Sequence, residues 1–520
     1  MFKSLARSAF WVTISEIIFN LSGYVIHSVV GRILGPADYG RYGLVVTLTT
    51  MIIILIGNGI PTAMAKYISE IFETNPRLVR IIKRQAIILQ SIIISSLTII
   101  FFFGAPLIAK ILGDPTLTPL FRISTLVIPA FALASFYFSY YTGLHKFGIQ
   151  SFLKIMRSVF RVIIIIALTY YFGVKGSVSG YIVAPFLVFL VAFLIDKFKV
   201  AKELGHPERS EGSRANITNN NSTRSFASAQ DNQLFPWKKL IDYAWQIIIF
   251  FLAYELLISI DLYLVKGILH DDYLTGIYNA SLTVGRLPYY VFYALTVILL
   301  PVISKSTAEN NSEKTGEIVS QSLRLMLILL VPAIILMAQF SEAIIKIFYG
   351  NKYLAAAQPM SILVWGVGFL TIFYVLSFVM NGAGKTKKTM YTAIFGFILN
   401  TVLNYFLIKK FALTGSAIAT SIASFAVMAV ILFYTYKDFK ISINLKNIFR
   451  IAIAGIATFY VASHFSQGRY IFILWSVLLF AFYCAILYLL GEIKKEDLAI
   501  LKNIISRKKV AEAKEKFSGN

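Results

Sequence analysis

A chain of 520 residues that is 58% hydrophobic, with only 14% charged side chains and a mean hydropathy of +0.73, is too apolar for a soluble globular protein, in which roughly 45–50% of residues are apolar and about 25% charged. The net charge of +24 is carried mostly in short tracts between apolar runs; cations so placed serve as topology signals and attract anionic lipid, so they do not describe a nucleic-acid surface. The single cysteine, Cys484, lies inside an apolar run, which excludes a disulfide framework or a thiolate metal site.

The first apolar stretch is longer than the ~7–15 residues of a secretory signal and has no small-residue cleavage site after it, so it is expected to be a spanning helix. Runs approaching or exceeding the ~18–20 residues needed to cross a ~30 Å hydrocarbon layer recur along the chain. In order, spans are predicted near 8–30, 41–64, 86–104, 120–142, 159–172 and 178–196, then near 244–265, 277–301, 323–340, 357–380, 391–408 and 415–434, and finally near 450–465 and 470–490. Between the two sets, 197–243 is polar, rich in Asn and Ser and aperiodic, and is expected to be a disordered linker. Its Asn216-Ile-Thr218 sequon is a chance match in an Asn-rich tract.

The second set repeats the first. "PLIAKILGD" (106–114) aligns with "EAIIKIFYGN" (342–351), "YTGLHKF" (141–147) with "MNGAGKT" (380–386), and "FGVKGSVSGYIV" (172–183) with "FALTGSAIATSI" (411–422). An even number of spans per half makes this a parallel repeat about an axis along the membrane normal. The expected architecture is an all-α polytopic membrane protein of about 14 transmembrane helices. It comprises an N-lobe (1–196), a cytoplasmic linker (197–243), a C-lobe (244–435), two extra helices (436–490) and a basic tail (491–520). Tracts such as "RLVRIIKR" (77–84), "GKTKK" (384–388) and "RKKVAEAKEK" (507–516) put both termini on the cytoplasmic side of a plasma membrane.

A charge at mid-membrane costs at least ~2.5–3.5 kcal/mol unless paired or solvated, so charges inside spans are the informative ones. Glu16, Asn20, Gly23 and His27 form one helical stripe; Glu255, Ser259, Leu262 and Lys266 form a second; Asn279, Thr283, Arg286 and Tyr290 form a third. Thr47 and Thr50 occupy the places of Thr283 and Arg286 in the first half, and Arg161 aligns with Asn400. Matching polar faces are expected to enclose a wet central cavity. Arg286 is too deep to reach the interface, whereas Glu16, Arg32, Arg41, Arg157 and Lys266 lie near span ends and are expected to snorkel. Asp261, about 120° from Glu255, faces a neighbouring helix or the rim. Asn and Thr at helix contacts also serve as interhelical hydrogen-bond partners. There is no metal-spaced His/Cys set, no P-loop and no long outer loop, which argues against an ATP-driven pump and against a membrane glycosyltransferase or polymerase; no cofactor or metal is expected.

The connector 32–44, "RILGPADYGRYGL", is read as a tight outer hairpin. Gly35 and Pro36 make the turn, Asp38 caps the next helix, Tyr39 and Tyr42 anchor at the interface beside Gly40, and Arg32 and Arg41 flank the mouth. "ILHDDYLTGIY" (268–278) has the same role in the second half.

This hairpin, in a duplicated fourteen-span chain with basic inner loops, resembles the signature of the polysaccharide/oligosaccharide flippases. Their superfamily also holds MATE multidrug exporters and lipid II flippases. The resemblance implies a MATE-like fold and transfer of a polyprenyl mono- or diphosphate-linked saccharide to the outer leaflet through a cavity that opens to alternate sides. By face and depth, Arg286, with Arg161 as a second candidate, is then expected to hold the phosphate, and Asn279, Thr283, Thr47, Thr50, Asn20 and Asn400 to meet saccharide hydroxyls. Glu255 and Glu16 are then candidates for coupling to H+ or Na+. The expected partners are the lipid-linked oligosaccharide and membrane lipids, with no nucleic acid, and the chain is expected to be a monomer. Lipid II flippases carry several arginines in the N-lobe cavity; few arginines are counted here at mid-depth of the first half, which sets lipid II aside. A cation-coupled drug exporter of the same fold is the alternative.

Overall fold

The computed structural model describes residues 2–57, 60–72, 76–200, 237–289, 292, 312–441, 444–465, 468 and 470–492. Every regular element among them is helical. In the first half these are α1 (Phe2–Gly57), α2 (Ile60–Ile71), α3 (Pro76–Ile111), α4 (Thr118–Thr125), α5 (Val127–Gly143) and α6 (Phe147–Ile195). In the second they are α7 (Trp237–Leu269), α8 (Asp272–Gly285), α9 (Ser312–Gln339), α10 (Ser341–Phe348), α11 (Ala357–Gly382) and α12 (Thr386–Phe439), followed by α13 (Leu445–Ala462) and α14 (Ile471–Leu489).

Ten helical segments among the described residues are long and apolar enough to cross a membrane. Three reverse direction at one residue: α1 at Gly35 (φ 74°), α6 at Gly173 (φ 58°) and α12 at Ala412 (φ 49°). A straight helix would hold His27 and Tyr39 about 18 Å apart, yet His27 Nδ1 and the Tyr39 hydroxyl are hydrogen-bonded at 2.9 Å. Ser416 and Asn404 meet across the Ala412 reversal in the same way, at 2.6 Å. Each of these helices therefore makes two crossings. With the span that begins at α8 and leaves the described residues after Tyr289, they build the roughly fourteen-helix, all-α membrane fold.

Several boundaries differ from the sequence reading: α3 starts at Pro76 instead of near 86, and α9 at Ser312 instead of near 323. The fifth span starts at Phe147, not near 159, so Lys154 and Arg157 lie within the helix. Helix α7 starts at Trp237, inside the tract read as linker. Residues 201–236 of that linker, Tyr290 and the basic tail beyond 492 lie outside the described residues.

Within each half the long reversed helix is the scaffold: α6 packs on α1 and α5, and α12 packs on α7 and α11. Helices α13 and α14 lie against α9 through Ile451, Ala454, Tyr483 and Leu487. Buried Glu492 fastens them there, accepting from Arg324 at 2.7 Å and from Arg450 at 3.4 Å. The halves meet where the α1 hairpin crosses α8. The crossing is so close that a methyl group at Gly276 would overlap the Pro36 carbonyl, and one at Gly40 would overlap that of Asp272. The two glycines that align in the repeat thus pack against each other.

Candidate functional site

Beside the crossing, the hairpin end is closed by bonds that nearly all join one half to the other. Lys266, only 4% exposed in its side chain, pairs with Asp114 at 3.2 Å and with Asp272. Arg41 donates to Asp272 at 2.8 Å. Partial burial pushes the Asp114 carboxyl up, but its hydrogen bonds from Thr116 and Lys266 and the Lys266 charge outweigh this and hold it below the usual carboxylate range. Arg32 donates to the Phe348 carbonyl at 2.9 Å and to that of Ile347. The Tyr353 hydroxyl donates to Gly31 O at 2.7 Å.

Three hairpin expectations are corrected here. Tyr39 and Tyr42 are fully buried instead of lying at the interface, because their hydroxyls are taken up inside the protein: Tyr39 by His27 and by Tyr349 (2.8 Å), Tyr42 by Tyr181 (2.8 Å). Asp38 is not the cap: Gly35 breaks the helix and Pro36 restarts it, so Asp38 falls inside the first turn, where its charge still suits the helix N-terminus. In the second half Asp271 does cap α8, accepting from Leu274 N at 3.0 Å. Lys266 does not snorkel, since two carboxylates hold it in place.

Behind this seal lies a cavity of about 480 Å³ between the halves. All of the first stripe faces it, namely Glu16, Asn20, Gly23 and His27, as do Glu255, Ser259 and Leu262 of the second. Arg286, Asn279, Thr283, Thr47, Thr50 and Arg161 also line it. Helix α8 ends at Gly285; Arg286 follows it and donates through Nη2 to the Ile258 carbonyl on α7. Arg161 donates to Ser22 Oγ at 2.9 Å and to Phe19 O at 2.5 Å, and its guanidinium lies 3.9 Å from the Phe19 ring centre.

Asn400, read as a saccharide ligand, is not at the cavity. Its amide is fully buried, donating to Leu257 O at 2.8 Å and accepting from Asn404 at 2.8 Å and from Thr420 at 3.3 Å. It joins helices, with buried Asp261 completing the knot by accepting from Tyr278 at 3.0 Å and Thr420 at 3.1 Å. Glu16 does line the cavity, but Lys154 neutralises it. Glu255 has no ion-pair partner within 4 Å among the described residues.

The main feature missed from sequence is Arg157. It does not snorkel: it is 6% exposed and lines the cavity, boxed by Phe19, Phe131 and Phe138 at 4.4–4.9 Å. Its Nε and Nη1 have no hydrogen-bond partner. The signal was its spacing, one turn before Arg161 on the same face. The first half thus brings two arginines to the cavity, which removes the ground for setting lipid II aside. A second missed feature is the aromatic lining from α7, α11 and the residues after α8: Phe251, Tyr254, Tyr289 and Tyr374. No group of three or more His, Cys, Asp or Glu side chains that could hold a metal ion occurs among the described residues.

In chemical terms the cavity offers three guanidinium groups, a set of hydroxyl and amide groups, and aromatic faces, shielded at one end by the seal. Such a site suits a large anionic polar headgroup: arginines bind phosphate through paired N–H donors, and hydroxyl and amide groups satisfy a polyol.

A family model described as "Polysaccharide biosynthesis protein" matches residues 5–307, and a second, MatE, matches 247–406. An uncharacterized membrane protein of Methanocaldococcus jannaschii, MJ1375, is 24% identical over 82% of this chain and 97% of its own. The "Probable low-salt glycan biosynthesis flippase Agl15" of Haloferax volcanii is 23% identical over 30% of this chain and 33% of its own. Among solved structures, "Lipid II flippase MurJ, inward closed conformation" superposes with a TM-score of 0.70 at 17% identity, covering 93% of this chain and 99% of that one; at this identity the likeness is one of fold.

Proposed function

We propose a function that starts from one premise: the chain belongs to the polysaccharide biosynthesis protein family, in the superfamily of lipid II flippases and MATE transporters. It is an alternating-access flippase that moves a polyprenyl mono- or diphosphate-linked oligosaccharide from the cytoplasmic to the outer leaflet of the plasma membrane. The product serves assembly of cell-surface polysaccharide or glycoprotein glycans. The observation that carries this reading is the cavity itself, in which Arg157 and Arg161 of one half face the same space as Arg286 of the other.

The physics of the task matches the site. A saccharide phosphate cannot cross hydrocarbon unaided, but its isoprenoid tail never has to leave it. The protein must supply only cations for phosphate, polar groups for sugar and a lateral opening for the tail. Arg286 and Arg161 hold the phosphate; Asn20, Thr47, Thr50, Asn279 and Thr283 meet the hydroxyls. With both termini cytoplasmic, the hairpin end faces outward, so the seal of Lys266, Asp114, Asp272 and Arg41 is the outer gate in its shut position. Of the two candidate carboxylates Glu255 is the better coupling site for H+ or Na+, because Glu16 already has Lys154. The membrane potential adds roughly 2.3 kcal/mol per charge moved through 100 mV. The chain acts as a monomer, since each copy contains both halves of the cavity.

The test is reconstitution in liposomes holding a labelled polyprenyl-diphosphate oligosaccharide, following headgroup in the outer leaflet over time. Protein-dependent appearance is expected, lost in Arg286→Ala. Absence of transport across several glycans, with ion gradients imposed, would overturn the reading.

A further inference from the structure

The two walls of the cavity differ in kind. In the first half the aromatic surface is covered by cation: Arg161 and Arg157 lie 3.9 and 4.4 Å from the centre of the Phe19 ring. The repeat places Tyr254 at the position of Phe19, and Gly396 and Asn400 at those of Arg157 and Arg161. Gly396 has no side chain, and Asn400 is turned into the core to bond Leu257 O, so neither position sends a side chain over Tyr254. What borders the cavity there is ring surface. Tyr254 lies 5.1 Å from Tyr374 and 6.2 Å from Tyr289, centre to centre, and Tyr289 lies 4.9 Å from Tyr374. Phe251 and Tyr289 are only partly buried, and all four rings line the space that the arginines face.

A phosphate-linked sugar has the same two-sided character. Its phosphate needs guanidinium. Its first pyranose ring has a C–H face that suits the negative face of an aromatic ring, and ligand sites are commonly aromatic-lined with a few placed polar groups. We infer that Tyr289 and Phe251, backed by the buried rings of Tyr254 and Tyr374, form a saccharide-stacking platform that takes the ring nearest the phosphate, opposite the arginine wall. This inference rests on the reading of the cargo as a lipid-linked saccharide.

The experiment titrates full-length protein in nanodiscs with two short-tailed probes, farnesyl diphosphate and farnesyl-diphospho-N-acetylglucosamine. Wild type is expected to bind the sugar-bearing probe roughly tenfold more tightly. Tyr289→Leu and Tyr374→Leu are expected to erase that gain and leave the affinity for bare farnesyl diphosphate unchanged, which also shows that the variants fold. Tyr289→Phe and Tyr374→Phe keep the gain, because the ring face remains. Arg161→Gln weakens both probes alike. Equal affinity of wild type for the two probes, or a gain that survives the leucine variants, overturns the platform while leaving phosphate recognition intact. Binding of tetraphenylphosphonium that the leucine variants lose, without any sugar gain, overturns it in favour of an apolar-cation site. Failure of wild type to bind either probe overturns the cargo reading and the platform with it.

Discussion

At matching positions of the repeat the two halves solve opposite problems. On the fifth span, Arg161 turns to the cavity and lies against Phe19; on the eleventh, its counterpart Asn400 turns to the core and ties α12 to α7. The partners of each residue account for the difference. Asn400 has Thr420, Asn404 and the Leu257 carbonyl within reach, whereas the first half has Tyr181 at the Thr420 position, bonded to Tyr42. Asp261, which completes the knot around Asn400 in the second half, corresponds to Ile26 in the first. A duplicated fold thus keeps one backbone plan while one copy turns this polar position to the cavity and the other turns it to the core.

That contrast can be broken in order of size. Lys266 joins the halves, and Lys266→Met leaves Asp114 and Asp272 with only the half-exposed Arg41 beside them; a loss of about 3 kcal/mol is expected, the low end for breaking a buried pair, read as a fall in melting temperature. With Arg161 holding phosphate as proposed, giving the first half the residue of the second, Arg161→Asn, should lower transport roughly a hundredfold, while the loss of its bonds to Ser22 Oγ and Phe19 O lowers the melting temperature less than Lys266→Met does. The mirror experiment, Asn400→Ala, should do the reverse: about 1–3 kcal/mol of stability lost, measured by thermal unfolding, with transport per folded molecule unchanged.

Smaller still are the reversal points. Gly173 and Ala412 occupy corresponding places with φ of 58° and 49°, a region in which only glycine is free of strain. Ala412→Gly should therefore stabilise and Gly173→Ala destabilise, each by about 1 kcal/mol; denaturation midpoints give the sign.

The seal should respond to acid in one direction only. Because the folded pKa of Asp114 is lowered, its contribution is complete above the unfolded value of about 3.9 and is lost as pH falls through the folded one. Amide hydrogen exchange of the 271–279 segment, corrected for the intrinsic pH dependence, should stay protected near neutrality and lose protection only below roughly pH 4.

Much of the fold is legible in the sequence because a bilayer leaves few choices. Apolar length marks the spans, and a repeat offset that drifts only from about 235 to 239 residues marks the two halves. Side-chain direction is harder to read. The stripes through Glu16 and Asn279 could be traced because they are polar against an apolar background. Arg157 was misplaced because nearness to a span end says nothing about which way a long side chain turns. Asn400 was misplaced because its face is decided by partners from helices far away in sequence. The tyrosine wall gave no signal at all, since one aromatic among many has no pattern until α7, α11 and the residues after α8 come together.

The most direct test of the account is an experimental structure of the protein with farnesyl-diphospho-N-acetylglucosamine bound. Phosphate density is expected within hydrogen-bonding distance of Arg161 and Arg286, with the sugar ring on the tyrosine side. Phosphate lying outside the cavity, with both guanidinium groups keeping their bonds to Phe19 O and Ile258 O and touching no ligand, would contradict it.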